Sequence, residues 1–149
     1  MALPSFKKPT KMRSRNMRAI LSFGNKTTER RLASLFREKN IRGWRAQPRN
    51  VPGRPDFVIE KKRVAVFVDG CFFHGCPHCG HIPRTNRAYW TAKITRNKRR
   101  DLAVSKALRG LGYRVIRIWE CQLRKKPARC LARILQRRGA PFSGAFDFS

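Results

Sequence analysis

The sequence predicts an α/β domain in which helices flank a mixed β-sheet, and three stretches carry that prediction. Val64-Ala65-Val66-Phe67-Val68 is a short unbroken apolar run, the signature of a strand covered on both faces. Tyr113 to Trp119, with Val115, Ile116, Ile118 and Trp119, is a second such run. Between them Trp90, Ile94, Asn97, Asp101, Val104 and Leu108 recur at alternating steps of four and three. That spacing makes one stripe of a helix running from Asn86 or Arg87 to Arg109 and stopped by Gly110 and Gly112. Strand, crossover helix, strand is a βαβ unit with parallel strands. Asp56-Phe57-Val58-Ile59 adds an antiparallel neighbour, turned through Glu60 to Lys62, which sets Asp56 opposite Phe67.

Taken in order, residues 1–26 form a basic arm with Pro4 and Pro9 and little apolar periodicity, expected to order on phosphate. Residues 27–139 form the folded domain, and 140–149 a tail. Thr27 or Thr28 caps a first helix reaching about Lys39, with Leu32, Leu35 and Phe36 as its inner stripe. Glu29 falls on that inner stripe instead of the solvated face. From Gly43 the chain reads as irregular, punctuated by Pro48, Pro52, Gly53 and Pro55. Pro127 opens a last amphipathic helix to Arg138, with Leu131, Ile134 and Leu135 packed inward and Cys130 as a core thiol.

Lys and Arg number 36 against 8 Asp and Glu, a net charge of +28. Self-repulsion on that scale calls for a polyanion, so nucleic acid is the expected partner. A basic structural protein of a ribonucleoprotein shares that composition. No apolar run reaches the roughly 20 residues that span a bilayer, and the N-terminus lacks a signal-type apolar core. No membrane partner is expected, and the place of action is cytoplasmic, at the nucleoid. Five cysteines is an odd number, and three of them, Cys71, Cys76 and Cys79, crowd into nine positions. In a basic cytosolic chain such crowding points to metal ligation more than to disulfides.

The parallel pairing brings Cys121, just past its strand, beside Cys71, just past the other. Cys71-x4-Cys76-x2-Cys79 with Cys121 is then a closed structural zinc site, with His78 and His81 as rival ligands. Zinc there clips the loop carrying Phe72, Phe73 and His74 to the sheet edge. The same edge gathers Asp56, the Val68 carbonyl, His74, Glu29 and Asp101. A carboxylate and a carbonyl, completed by water and phosphate oxygens, suit magnesium, and a histidine steadied by a carboxylate suits proton transfer. Phosphodiester hydrolysis fits this set. Asp56-x3-Glu60-Lys61-Lys62 imitates a compact nuclease motif, but three intervening residues leave Glu60 in the turn.

These residues also match a family. From about Arg18 to Arg124 the chain resembles the very short patch repair (Vsr-type) endonucleases, which nick DNA beside T:G mismatches, and related homing endonucleases with an E-D-x-H-D signature. The matching pieces are Lys26-Thr27-Thr28-Glu29, Pro52-Gly53-Arg54-Pro55-Asp56, Phe67-Val68-Asp69-Gly70-Cys71-Phe72-Phe73-His74-Gly75 and Tyr89-Trp90-x2-Lys93-Ile94. Arg100-Asp101 and Ile118-Trp119-Glu120-Cys121 complete the series in the family's order. The resemblance implies a restriction-endonuclease-like fold with structural zinc, and magnesium on Asp56 and the Val68 backbone. It implies proton transfer at His74, with Glu29 and Asp101 in support. It also implies double-stranded DNA as partner, gripped by one copy of the chain, with Phe72, Phe73 and Trp90 wedged into the duplex. Periodicity alone makes Trp90 a packing residue. Three positions depart from the family pattern: Phe73 in place of tryptophan, Val68 in place of a hydroxyl residue, and Asp69 where some members carry histidine. The readings of another class are a non-catalytic, zinc-stabilised nucleic-acid-binding module and the nuclease subunit of a larger nucleoprotein assembly.

Overall fold

A single four-stranded sheet organises the computed structural model, which describes residues 2–5, 10–12 and 26–136. The strands are β1 (Trp44–Ala46), β2 (Phe57–Ile59), β3 (Val64–Asp69) and β4 (Arg114–Trp119), ordered β1-β2-β3-β4. β1 and β3 both run antiparallel to β2, while β3 and β4 pair in parallel from Val64↔Arg114 to Asp69↔Trp119. The sheet is mixed, as expected, and the Phe57↔Val66 register continues to the expected Asp56–Phe67 position. Glu60–Lys62 is a 3-10 turn closed by Arg63 in the left-handed region (φ 52°). Glu60 pairs with Arg45 there, away from Asp56, so the compact-motif resemblance at this position is accidental.

The helices are α1 (Lys26–Glu38), α2 (Arg87–Gly110), α3 (Glu120–Lys125) and α4 (Pro127–Leu135). One face of the sheet packs Val64, Val66 and Ile118 against Leu32 and Phe36 of α1, Leu123 of α3 and Leu131 and Ile134 of α4. Cys130 is buried in that layer, as a core thiol should be. The other face packs Val58, Ala65 and Phe67 against Leu108 of α2, with Tyr113 and Val51. Fully burying a side chain such as Phe36 contributes about 1.5–3 kcal/mol, and its ring meets Phe57 edge-on at 5.4 Å.

Three expectations are corrected. Thr27 and Thr28 do not cap α1, because both already lie within its helical turns and Thr28 is buried. The other end behaves as read: Asn40 adopts φ 52°, and the Ile41 and Asn40 amides donate to Phe36 and Arg37 carbonyls (2.8 and 3.0 Å). Trp44–Ala46, read as irregular, is an edge strand too short to show a period, fixed by Trp44 packing on Phe36 and Phe57 (5.6 and 5.5 Å). Trp119 leads directly into the unforeseen short helix α3, which carries Cys121 in its first turn. The final helix stops at Leu135, where Gln136 leaves it with extended backbone (ψ 136°), short of the expected Arg138. Residues 137–149, with the tail, and most of the arm lie outside the described residues.

Candidate active site

β3 and β4 end side by side, so their outgoing loops leave the same rim of the sheet. Cys71, Cys76 and Cys79 follow β3, and Cys121 follows β4. Their sulfurs lie within 4.8 Å of one another. Cys76 Sγ is 3.8 Å from Cys121 Sγ and 3.9 Å from Cys79 Sγ. Four thiolates at about 2.3 Å from a tetrahedral zinc stand roughly 3.8 Å apart, so the spacing fits that ion and is far too wide for disulfides. The neighbouring histidines, His78 and His81, are outside the cluster. Burial pushes the Cys71 and Cys121 thiols up. At Cys76 the same burial is outweighed by amide N–H groups of His78 and Cys79, which hold its thiol below the ordinary range. Gly80 is required where the loop closes, because a Cβ there would lie 2.5 Å from the Cys76 carbonyl.

The acid edge lies beside this loop. Asp56 Oδ2 accepts the Val68 N–H at 2.6 Å, tying the start of β2 to the end of β3. Burial pushes the Asp56 carboxyl up to about 7, against the Val68 hydrogen bond, with the charges of Glu29 and Asp69 adding to the rise. Glu29 Oε2 accepts from Gln47 Nε2 at 2.9 Å, whereas its Oε1 is buried without a partner among the described residues. Two carboxylates in contact, one raised and the other with an orphaned oxygen, form a donor set that a divalent cation would satisfy. Gln47 was not singled out from the sequence. It holds φ 44°, donates its amide to the Asp56 carbonyl (2.9 Å) and so links both acids. Nothing but its place before Pro48 hinted at it.

The Asp56 shift has a stability consequence. Unfolded, this carboxyl titrates near 3.8, whereas in the fold it does so near 7. Between those values the native state keeps a proton that the unfolded chain has shed, so stability falls as pH rises through the window. Asp56→Asn removes the penalty. The metal-free variant should melt roughly 5 °C above the unmutated protein at pH 8 and at nearly the same temperature at pH 4. Thermal scans at the two pH values check this, and an equal shift at both would place the strain elsewhere.

In the loop after β3 stands His74, its Nδ1 2.6 Å from Asp101 Oδ2 of α2. Burial, which raises the Asp101 carboxyl, is outweighed by this hydrogen bond and by Arg117 and Arg100, which hold it below the ordinary range. Ionised Asp101 only accepts, so Nδ1 donates and Nε2 is left for other chemistry. Asp69 Oδ1 is 3.8 Å from the same Nδ1, beyond hydrogen-bond reach. It is buried and bound instead by Arg117 Nη1 (2.7 and 2.9 Å to its two oxygens). Asp69, His74 and Asp101 converge tightly enough to be a metal-type group. Asp69 had been noted only as a departure, and Arg117, inside an apolar run, carried no signal at all.

The two polar members of the α2 stripe both serve the loop: Asp101 holds His74, and Asn97 Nδ2 donates to the Phe73 carbonyl at 2.8 Å. Gly75, at φ 65°, lets the loop approach so closely that a Cβ would sit 2.8 Å from Ile94 and Lys98 side chains. Phe72 packs on Phe73 and Trp90 (5.1 and 4.9 Å), and Lys93 Nζ lies 5.4–5.7 Å from the rings of Phe73, Tyr89 and Trp90. Trp90 is only 5 % exposed, as its place on the stripe predicts, and backs the two half-buried phenylalanines. Among the described residues no helix is long and apolar enough to cross a membrane.

Known proteins are similar to this chain in sequence. The family model described as DNA mismatch endonuclease Vsr matches residues 6–81, which take in Glu29, Asp56, His74 and three of the four clustered cysteines. The DNA mismatch endonuclease Vsr of Escherichia coli is 42 % identical over 114 residues, covering 75 % of this chain and 71 % of that protein. The type II nicking enzyme V.NaeI of Lentzea aerocolonigenes is 40 % identical over 115 residues, covering 72 % and 67 %. A third relative, the type II nicking enzyme V.NmeAIP of Neisseria meningitidis, is 40 % identical over 85 residues, covering 56 % and 60 %. Likeness of this extent, running through the acid edge and the thiol cluster alike, makes the chain an endonuclease of the Vsr family.

Proposed function

We propose that this endonuclease is a magnesium-dependent enzyme that nicks one strand of double-stranded DNA at or beside a T:G mismatch. The observation that carries the reading is the pairing on one rim of a hydrogen-bonded His74–Asp101 couple with a Glu29–Asp56 couple that has an unsatisfied buried oxygen. Asp56, with the Val68 carbonyl and Glu29 Oε1, would hold magnesium. In an extended strand a residue's N–H and C=O face the same side, and the Val68 N–H already faces Asp56. When bound, the ion stabilises negative charge on the leaving oxygen and acidifies water. Asp101 fixes the His74 tautomer, and Nε2 moves the proton between water and the sugar–phosphate oxygens.

Zinc on Cys71, Cys76, Cys79 and Cys121 holds the loop that presents His74. Phe72 and Phe73 enter the duplex from that loop, with Trp90 stacked behind them. A mismatched pair unstacks at lower cost than a matched one, which supplies the selectivity. In this reading residues 27–139 are the endonuclease domain, and the basic arm 1–26 follows the phosphate backbone. One copy works at each site, at the nucleoid, alone or recruited to a larger repair assembly. Endonuclease family membership sets aside the non-catalytic module.

The test is cleavage of end-labelled duplexes, matched, T:G and otherwise mismatched, with cut ends mapped on both strands. A single nick in one strand, at least about tenfold faster on the T:G duplex than on matched DNA, is expected. Equal rates on all duplexes would remove the mismatch preference. No cutting of any duplex in magnesium or manganese would sink the reading.

A further inference from the structure

Arg117 is a half-buried cation of β4 whose donors all go to the His74 side of the site. Its Nη1 donates to both Asp69 oxygens, its Nη2 to the Asp101 carbonyl (3.4 Å), and its Nε to Ser105 Oγ (3.2 Å). Nη2 also stands 3.6 Å from Asp101 Oδ1, and the guanidinium lies 4.3 Å over the Phe67 ring. The register explains the convergence. Arg117 pairs with Phe67 in the parallel ladder, and Asp69 is two residues further along the same face. α2 crosses that face and delivers Asp101 and Ser105, one helical turn apart.

Two carboxylates therefore compete for one imidazole N–H. Asp101 holds it at 2.6 Å, and Asp69 waits at 3.8 Å. A buried carboxylate without a partner seeks the nearest donor or cation. Released from Arg117, Asp69 has His74 Nδ1 within reach at 3.8 Å. Taking it would spoil the geometry by turning the imidazole off Asp101. We propose that Arg117 is a positioning residue for the nicking reaction: it occupies Asp69 and braces the Asp101 backbone, so that His74 stays on Asp101 alone. Its donors go to Asp69, Asp101 and Ser105, so its action is through His74. The inference deepens the proposed function and rests on His74 being the proton-transfer group.

The experiment measures single-turnover nicking with enzyme in excess and magnesium saturating, separating the rate constant from the amplitude. A folding defect lowers the amplitude, whereas misplacement of His74 lowers the rate constant at full amplitude. Arg117→Met keeps an apolar stem over Phe67 and removes every donor. Its rate constant should fall at least about tenfold, with duplex affinity within about threefold of the unmutated protein. Imidazole NMR supplies a reading independent of activity. With three histidines in the chain, the Nδ1 proton of His74 is identified by its loss in His74→Gln, and its hydrogen-bonded shift should move in Arg117→Met. Adding Asp69→Asn to Arg117→Met removes the competing charge and should return that signal, and most of the rate, toward the starting values. Arg117→Lys keeps Asp69 paired but cannot also span Asp101 and Ser105. It should fold and still nick about threefold or more slowly.

An unchanged rate constant and an unchanged His74 signal in Arg117→Met would overturn the proposal. If that variant does not fold, the same two results in Arg117→Lys would overturn it. The unmutated protein is run alongside. If it fails to nick, the functional reading itself falls, which is distinct from active protein with indifferent variants.

Discussion

Asp56→Ala should lower magnesium-dependent cleavage at least about 10³-fold while leaving the protein's grip on duplex DNA within about threefold. The two effects separate because they draw on different parts of the molecule. Binding rests on 36 basic residues against 8 acidic ones, so its salt dependence should persist and removing one acid should, if anything, strengthen it. On the proposed mechanism cleavage rests on a single half-buried carboxylate that touches Val68 and Glu29. Of these groups it is the one on which both strands and α1 converge. Alanine would remove the proposed magnesium ligand and leave Glu29 Oε1, already without a partner among the described residues, alone at the site. Fluorescence anisotropy in calcium, compared with gel-resolved nicking in magnesium, reads the two quantities side by side. Parallel loss of both would mean that Asp56 holds up the fold instead of the chemistry.

Removing the zinc proposed for the thiol cluster should cost less activity and more stability, by another route. Structural zinc sites in small peptides contribute about 10–16 kcal/mol of apparent binding free energy, enough to decide whether the segment around them is ordered. Here the segment from Cys71 to Cys79 has few apolar anchors of its own, with Cys76 its one buried residue. A chelator strong enough to remove the ion, followed by magnesium repletion, should leave the protein melting at least about 10 °C lower and cutting at least about 100-fold more slowly. Cys121→Ser should reproduce both losses. Cys130→Ser, in the core layer away from the cluster, should bind one zinc per chain and cut at the unmutated rate within about twofold. Full activity after proven zinc removal would mean that the thiols merely sit together.

Much of this was legible because unlike signals agreed on one edge. The two apolar runs and the helix between them fixed a parallel pair. That pair alone brought Cys121 to Cys71 across fifty residues of chain. The Asp56 register followed from the turn at Glu60–Lys62. Asn97 and Asp101 announced themselves as polar breaks in an apolar stripe, and both turned out to bind the histidine loop. What stayed hidden lacked periodicity or depended on partners distant in sequence. Trp44–Ala46 is too short to alternate, and its strand state comes from Trp44 packing on Phe36 and Phe57. Gln47 acts through a backbone twist that a glutamine does not advertise. Arg117 sits among Val115, Ile116 and Ile118, where a lone arginine reads as a strand's solvent-facing residue. Only the register, which sets it beside Asp69, gives it work.

The long helix α2 has a geometric consequence. Trp90, behind the aromatic pair, and Asp101, behind the histidine, are eleven residues apart on one rigid rod. At 1.5 Å per residue that separation is about 16 Å, and each residue turns the rod by about 100°. On the proposed mechanism the helix would be a ruler that sets how far the opened base pair lies from the severed bond. Small insertions cannot lengthen it gradually, since one extra residue would point Asp101 away from the ring it steadies. Divergence in where such an enzyme cuts has to come from exchanging side chains along the rod, not from stretching it.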